Sequence, residues 1–281
     1  MNSGVPLSRS LGDHGAGLKS TGSGCYRAAP FNAIMHSPFQ WSLLLGACAA
    51  AANVLGGLVV VSRKHWNELG LKYFIGLGAG FMLAASFLRM VPESLRLSPH
   101  APLLILSGYF LIHFFEHTIA PHFHFGEEVH GDVMMNPAMG VSALVGLSTH
   151  TFFDGVSIAS GFLVSTPLGL LVFFAVALHK IPEGFTVASI ALASGRGPRG
   201  ALTASFVLAA ATLAGVLAMH RFPGGVHYAL PVSAGVTLYV AASDLVPEVN
   251  KERDVRMAVV VFLGVALFLL TERALEVLGV S

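Results

Sequence analysis

Charged residues are scarce in this chain of 281 residues, in which Asp, Glu, Lys and Arg together make up 11%. Soluble globular domains carry about 25%. Hydrophobic residues reach 54%, and the mean hydropathy is +0.71. Because so few polar side chains could not cover a surface that faces water, the composition excludes an ordinary soluble domain and predicts an integral membrane protein.

The chain also lacks the patterns of several other protein classes. Its net charge is +1 and it has no basic stripe with interleaved aromatic residues, which argues against nucleic-acid binding. The two cysteines, Cys25 and Cys48, have neither the spacing of a zinc motif nor a convincing disulfide arrangement. The patterns H-E-x-x-H and G-x-S-x-G, typical of zinc proteases and serine hydrolases, are absent from the sequence.

Long apolar runs are what the sequence has instead. About 20 apolar residues are needed to cross roughly 30 Å of hydrocarbon as a helix. Eight windows of this length occur, separated by short connections that contain Gly, Pro and Ser. We therefore predict an all-α integral membrane fold with eight transmembrane helices at about 41–62, 73–91, 101–120, 137–163, 167–193, 201–220, 229–247 and 257–278.

The predicted organisation is one transmembrane domain over residues 38–281, preceded by a disordered tail over residues 1–37 that is rich in Gly and Ser. A transit-like leader, or a true start at Met35, is the alternative interpretation of the tail. Without the tail, the loops on one side hold eight Lys and Arg residues and those on the other side hold four. This bias predicts that both termini lie outside and that the loop at 118–136 is cytosolic.

Two pairs of segments resemble each other inside the predicted helices. The segment AGFMLAASFLRMVPE at 79–93 matches AGVTLYVAASDLVPE at 234–248 at six of fifteen positions. The segments HTFFDGVSIAS at 150–160 and HKIPEGFTVAS at 179–189 align in the same way. Each pair joins an even-numbered span to an odd-numbered one, and such spans cross the membrane in opposite directions. The two halves of the chain would therefore be inverted repeats, as in many secondary transporters. Chance similarity between small-residue helices is the alternative.

Polar residues inside two neighbouring spans point to a metal. His150 with Asp154, and His179 with Glu183, are four residues apart and share one face of a helix. A carboxylate at membrane depth costs several kcal/mol, roughly, unless it is compensated. A divalent cation neutralises both carboxylates, and mixed nitrogen and oxygen donors suit zinc, iron or manganese. A hydrogen-bonded contact between helices, or a proton relay, is the alternative.

A proline and two glycines accompany these pairs. Pro182 lacks an N–H, so it should leave the carbonyl of Leu178 without a helical partner and kink the helix. A freed carbonyl beside His179 can serve a cation or a water molecule. Gly155 and Gly184 directly follow the two carboxylates, where they allow close approach of a neighbouring helix or serve as plain packing residues.

The strings HTFFDGVSIASG and HKIPEGFTVASIALASG, together with eight spans and a His-bearing loop after the third, resemble the ZIP (Zrt/Irt-like) family of divalent metal transporters. The resemblance covers nearly the whole chain after about residue 38. It implies a bundle of three, two and three helices, movement of metal toward the cytosol, and residence in the plasma membrane or an inner membrane. It also implies zinc as the transported substrate, with Fe2+, Mn2+ or Cd2+ as alternatives, and a homodimer. The implied metal ligands are His150, Asp154, His179 and Glu183.

Some members of that family hold a second, bridged metal, and the matching positions here are Thr151 and Lys180. A lysine repels a metal ion unless it is deprotonated, so the resemblance leaves us expecting one metal per site. A glutamate that some members carry in the sixth span is missing, and Thr212 is the nearest polar residue. Met82 in the second span either lines the pathway or packs in the core.

Other polar groups lie near the ends of the spans. The loop supplies His122, His124 and His130, which would bind delivered metal loosely. The end of the third span supplies a candidate staging site for the metal, formed by His113, Glu116 and His117. The second and seventh spans supply candidate acids for the two mouths of a pathway, Glu93, Asp244 and Glu248. For both groups, the alternative is that they are ordinary solvated residues at a helix end.

Two other functions fit a membrane site of this composition. An intramembrane zinc-dependent hydrolase would need three protein ligands, an open coordination position and a general base. A proton-coupled carrier of an organic solute would need no metal. The matched repeats suit a pathway better than a cleft with a single activated water, so we expect a transporter and not an enzyme.

Overall fold

The computed structural model describes residues 37–62, 68–119, 137–251 and 254–280. These residues form eight continuous helices and agree with the predicted all-α fold. In chain order the helices are α1 (Pro38–Ser62), α2 (68–97), α3 (101–119), α4 (Pro137–Val164), α5 (Thr166–Ala193), α6 (Pro198–Arg221), α7 (226–250) and α8 (Val255–Val277), with a short 3-10 turn at Pro223–Gly225.

Proline marks several of the helix starts. It is the first residue of α1, α4 and α6 and the second residue of α3 and α5. Its fixed φ suits the first turn, and its missing N–H would have no helical partner there. α5 has a side-chain cap, because Ser165 accepts a hydrogen bond from the N–H of Leu168 through its hydroxyl at 3.3 Å.

Six of the eight helices are long and apolar enough to cross a membrane: α1, α2, α5, α6, α8 and the continuous segment that contains α7. α3 and α4 are the other two. The sequence of α4 contains several Ser, Thr and Gly residues as well as His150 and Asp154, all of which lower its mean hydropathy. This helix is largely buried against its neighbours, so it does not need an apolar surface all round.

The outer helices have the opposite character. Only 17% of the apolar window of α8 is buried, and large side chains such as Phe262 and Leu270 lie on its exposed surface. On α3 the exposed residues include Leu103 and Phe110. Contiguous apolar surface of this kind is excluded from water, as in a protein that crosses the membrane several times.

Three helices contain a π turn: Ser86–Met90 in α2, Phe115–Ile119 in α3 and Val240–Leu245 in α7. In α2 and α7 the turn is followed by a proline, Pro92 and Pro247. A proline removes one backbone donor and its ring pushes against the preceding turn, which favours local widening of the helix. The two turns lie at matching positions of the similar segments 79–93 and 234–248.

Glycines stand where helices cross most closely. A Cβ added at Gly184 of α5 would overlap the carbonyl oxygen of Asn53 in α1. A Cβ at Gly155 of α4 would overlap the carbonyl oxygen of Thr212 in α6. The two motif glycines therefore allow α1 and α6 to pack directly beside the polar residues of α4 and α5.

Candidate metal centre

The site is built on the hairpin of α4 and α5. Only Ser165 separates the two helices, so they run antiparallel along their length. Gly161 packs against Gly169 near the turn, and Gly140 faces Ser194 at the far end. Between these contacts, the antiparallel register places His150 of α4 opposite Glu183 of α5.

Four side chains converge there: His150, Asp154, His179 and Glu183, each at most 2% exposed. One nitrogen or oxygen atom from each lies within 4.8 Å of the other three. The closest contacts run between the helices, with His150 Nε2 3.0 Å from Glu183 Oε1 and His179 Nε2 3.3 Å from Asp154 Oδ2.

Within α4, His150 Nε2 and Asp154 Oδ2 are 4.0 Å apart. The predicted spacing of four residues therefore puts each imidazole on the correct face, while its nearest carboxylate comes from the opposite helix.

The orientation of His179 leaves a place for a cation. Its Nδ1 lies 3.1 Å from the backbone carbonyl of Ala175. Because a carbonyl only accepts, Nδ1 donates, and in the neutral ring Nε2 then carries a lone pair. That lone pair faces a carboxylate oxygen of Asp154. Two acceptors at this distance require a proton or a metal ion between them, and metal-bound histidines are commonly held through their other nitrogen in this way.

Lys180 joins the two carboxylates. Its ammonium lies 2.6 Å from Asp154 Oδ2 and 2.5 Å from Glu183 Oε2, and its side chain is fully buried. The hydroxyl of Thr151 donates to Glu183 Oε1 and lies 3.4 Å from the Lys180 ammonium. The two residues that the family resemblance assigned to a second metal thus contact predicted ligands of the first.

Asn53 of α1 completes the surroundings of Glu183, and sequence reasoning did not select it. It is fully buried. With its amide oriented to satisfy both neighbours, its nitrogen donates to Glu183 Oε2 at 3.2 Å and to the carbonyl of Lys180 at 2.7 Å. A signal was available, because AANVLG at 51–56 resembles AATLAG at 210–215 around Thr212.

Thr212 has no such contact with the centre. Its hydroxyl donates to the carbonyl of Leu208 in its own helix at 3.3 Å. Met82 is fully buried in the main apolar core of the described residues. In α2 it is Gly78 that approaches the centre, since a Cβ there would lie 3.6 Å from His179 Cβ and from the carbonyl oxygen of Leu178.

The predicted staging residues lie at the end of α3. The rings of His113 and His117 are 4.1 Å apart, and His117 Nδ1 lies 2.9 Å from the carbonyl of His113. Glu116 lies close enough to interact electrostatically with the Tyr239 hydroxyl of α7 and with Asp244 in the π turn of that helix. We refer to Glu116, Tyr239 and Asp244 as the α3–α7 cluster.

The three predicted mouth acids differ in their surroundings. Asp244 is 2% exposed, and neither carboxylate oxygen has a hydrogen-bond partner among the described residues. Glu248 is 3% exposed and forms an ion pair with Lys251 at 2.7 Å. Both are too deeply buried for the alternative interpretation as solvated acids at a helix end. Glu93 lines a cavity of about 320 Å³ that also contains Arg89, Arg96 and Glu272.

The predicted loop ligands His122, His124 and His130 lie outside the described residues, as does most of the N-terminal tail.

Comparison with known proteins gives the same identification as the motifs. The model of the family described as ZIP Zinc transporter matches residues 126–272, just over half of the chain. The zinc transporter ZIP13 of Pongo abelii is 32% identical over 123 residues, which are 41% of this chain and 38% of that protein. The ZIP13 homolog of Drosophila melanogaster is 30% identical over 139 residues, 46% of this chain and 39% of that protein.

The zinc transporter ZIP4 of Homo sapiens is 31% identical over 115 residues, 40% of this chain and 18% of that protein. The chain thus spans less than half the length of each of these relatives. All three are named transporters, which does not favour the hydrolase interpretation. With the family model matched over both motif helices, the chain belongs to the ZIP zinc transporter family.

Proposed function

We propose that this protein moves a divalent transition metal, zinc above all, across the membrane through a centre formed by His150, Asp154, His179 and Glu183. The observation that carries the proposal is the convergence of two imidazoles and two carboxylates in a buried space, with ligand atoms within 4.8 Å of one another. Tetrahedral zinc accepts this donor set.

The charges of the centre support one metal ion at a time. Two carboxylates and the ammonium of Lys180 sum to one negative charge, which one divalent ion converts to one positive charge. A second divalent ion would raise the sum to three positive charges in a buried space, where unpaired charge is expensive. Lys180 therefore supports a mononuclear site and leaves the metal less tightly held than two bare carboxylates would.

We also propose that α1–α3 and α6–α8 are inverted repeats on either side of the α4–α5 hairpin, giving a bundle of three, two and three helices. Matched glycine contacts support this arrangement. Gly56 of α1 packs on the backbone at 181–185 of α5, and Gly215 of α6 packs on the equivalent backbone at 152–156 of α4. Likewise, Gly80 of α2 packs on α8 and Gly235 of α7 packs on α3.

The route to and from the centre involves the α3–α7 cluster in this proposal. Asp244 is a buried carboxylate with no hydrogen-bond partner among the described residues, and Glu116 lies beside it. A passing cation would compensate both. The His-bearing loop at 118–136 directly follows α3, so it would exchange metal with this cluster on the cytosolic side, with both termini outside. The membrane, plasma or inner, and the homodimeric state remain parts of the proposal that follow from family resemblance.

Uptake by liposomes tests the proposal. The protein is reconstituted into vesicles that contain a zinc-responsive dye, and Zn2+ is added outside. We expect a dye response that His179→Ala and Glu183→Ala each abolish, because either change removes a ligand. Turnover of lipid or peptide with a silent dye would contradict the proposal in favour of a hydrolase, and uptake of an organic solute without metal would favour a proton-coupled carrier.

A further inference from the structure

We propose that Asn53 of α1 is a positioning residue of the metal centre, which holds one oxygen of Glu183 away from the ion so that the other is offered to it. This inference rests on the proposed function. It concerns a helix that neither motif includes, and a side chain that is not among the predicted ligands.

The two oxygens of Glu183 have separate surroundings. Oε1 lies 3.0 Å from His150 Nε2 and accepts a hydrogen bond from the Thr151 hydroxyl. Oε2 instead contacts the Lys180 ammonium at 2.5 Å and the Asn53 amide at 3.2 Å. With Oε2 held by two donors, the carboxylate cannot rotate freely and presents a single oxygen to an ion.

Asn53 is itself fixed by the packing of α1 on α5. The backbones touch at Gly184, where any side chain would overlap the Asn53 carbonyl, and at Gly56, where any side chain would overlap the carbonyl of Ile181. The second amide hydrogen of Asn53 goes to the carbonyl of Lys180 at 2.7 Å, two residues before Pro182. The asparagine thus links the backbone just before Pro182 to the carboxylate of Glu183 and holds the two in one geometry.

The position equivalent to Asn53 in α6 provides an internal comparison. Thr212 packs on Gly155 as Asn53 packs on Gly184, yet its hydroxyl bonds within its own helix. Asp154 consequently receives no donor from α6 among the described contacts; it accepts from the Lys180 ammonium and faces His179 Nε2, both on α5. The two carboxylates are therefore not equivalent: Glu183 is contacted by side chains of three helices, α1, α4 and α5, and Asp154 is held from α5.

The test measures Zn2+ affinity of the purified full-length protein in detergent, by competition with a fluorescent chelator. Asn53→Leu preserves the size of the side chain and removes both donors, while Asn53→Ala is a second variant in case leucine does not fold. Ser205→Ala is the matched control, because Ser205 is also fully buried and its hydroxyl lies 3.4 Å from the Gly184 carbonyl without touching a carboxylate.

We expect the Asn53 variants to bind Zn2+ about 10- to 100-fold more weakly, as is usual when a group that orients a metal ligand is lost. Ser205→Ala should bind as the unaltered protein does. The visible absorption of the Co2+-loaded protein should change in the Asn53 variants and stay constant in the control, because it reports the ligand geometry.

Two results would overturn the inference. Asn53 variants that fold and bind Zn2+ and Co2+ like the unaltered protein would show that the amide serves packing alone. A loss of affinity shared equally by Ser205→Ala would assign the effect to helix packing. Failure of the unaltered protein to bind any divalent metal would instead reject the proposed function itself, together with the inference that depends on it.

Discussion

The metal centre and the α3–α7 cluster differ in how their negative charge is compensated. In the centre, each carboxylate of Asp154 and Glu183 contacts the Lys180 ammonium at 2.6 Å or less. In the cluster, Asp244 is equally buried, lies beside a second acid and has no hydrogen-bond partner among the described residues. In the proposed function, the Lys180 ammonium therefore compensates the centre before a metal arrives, whereas the cluster gains most from a passing cation.

Of the substitutions considered, Glu183→Gln should have the largest effect, because it removes one of the two carboxylates that Lys180 compensates in the centre. The change leaves Lys180 paired with Asp154 and removes one charge-assisted hydrogen bond, so we expect the metal-free protein to lose about 1.5 to 3 kcal/mol of stability. Zinc uptake should fall more than about 100-fold because a charged ligand is lost at the same time. Thermal unfolding in detergent and dye-loaded liposomes measure the two effects, and a fully active variant would reject the centre as the transport site.

Lys180→Asp should change the number of bound ions from one to two. The substitution replaces the ammonium with a third carboxylate, so the three negative charges and two divalent ions sum to the same single positive charge as the unaltered centre with one ion. Metal analysis of the purified protein measures the ratio. Lys180→Met is the control and should keep one ion, bound more tightly; a ratio of one for both variants would mean that the lysine does not exclude a second ion.

Asp244→Asn should have the opposite effect on stability from the substitution in the centre. Removing a buried charge that lacks a hydrogen-bond partner relieves its desolvation penalty, so we expect the metal-free protein to gain about 1 to 3 kcal/mol. The KM for zinc uptake should rise, because the attraction between Asp244 and the passing ion is lost. A loss of about 1.4 kcal/mol of interaction free energy corresponds to a rise of about 10-fold. The affinity of the centre for Zn2+ should not change. Destabilisation by this variant would indicate that Asp244 has a partner after all.

Tyr239→Phe should give the smallest effect. It removes the hydroxyl that interacts with Glu116 and leaves the charge of the cluster unchanged. A single polar contact of this kind contributes about 1 kcal/mol, so we expect a change of KM of no more than about fivefold. An effect as large as that of Asp244→Asn would place the tyrosine itself on the route of the metal.

The sequence predicted much of the fold for a simple reason: apolar runs of membrane length leave helix as the only structure that pairs every backbone group. The predicted windows differ from the helices α1 to α8 mainly at their ends, where α2 begins at residue 68 rather than 73. α2 and α7 continue beyond their apolar windows, to Leu97 and Asn250, each through a π turn that is followed by a proline.

The candidate site was less completely predictable. Spacing within a helix identified His150, Asp154, His179 and Glu183, because the period of the helix sets which residues share a face. The same spacing suggested pairs within each helix, yet the closest contacts join His150 to Glu183 and His179 to Asp154 across the hairpin. Such pairing depends on the register between helices, which no local pattern encodes.

Contacts from other helices escaped sequence reasoning altogether. Asn53 is one amide in an apolar run, and its partner Glu183 is 130 positions away, so only the packing of α1 on α5 brings them together. In the same way Asp244 and Glu248 stand close to a helix end in sequence, while tertiary packing buries them.

By itself, the sequence determined a membrane protein of eight helices and the chemical types of its four candidate ligands, because hydrophobicity and helical period are local properties. Tertiary structure alone decided which imidazole meets which carboxylate, where the Lys180 ammonium lies, and that Asn53 reaches Glu183. Those features depend on the approach of helices at Gly56 and Gly184, since a distance of a few ångströms between side chains is set by packing and not by position along the chain.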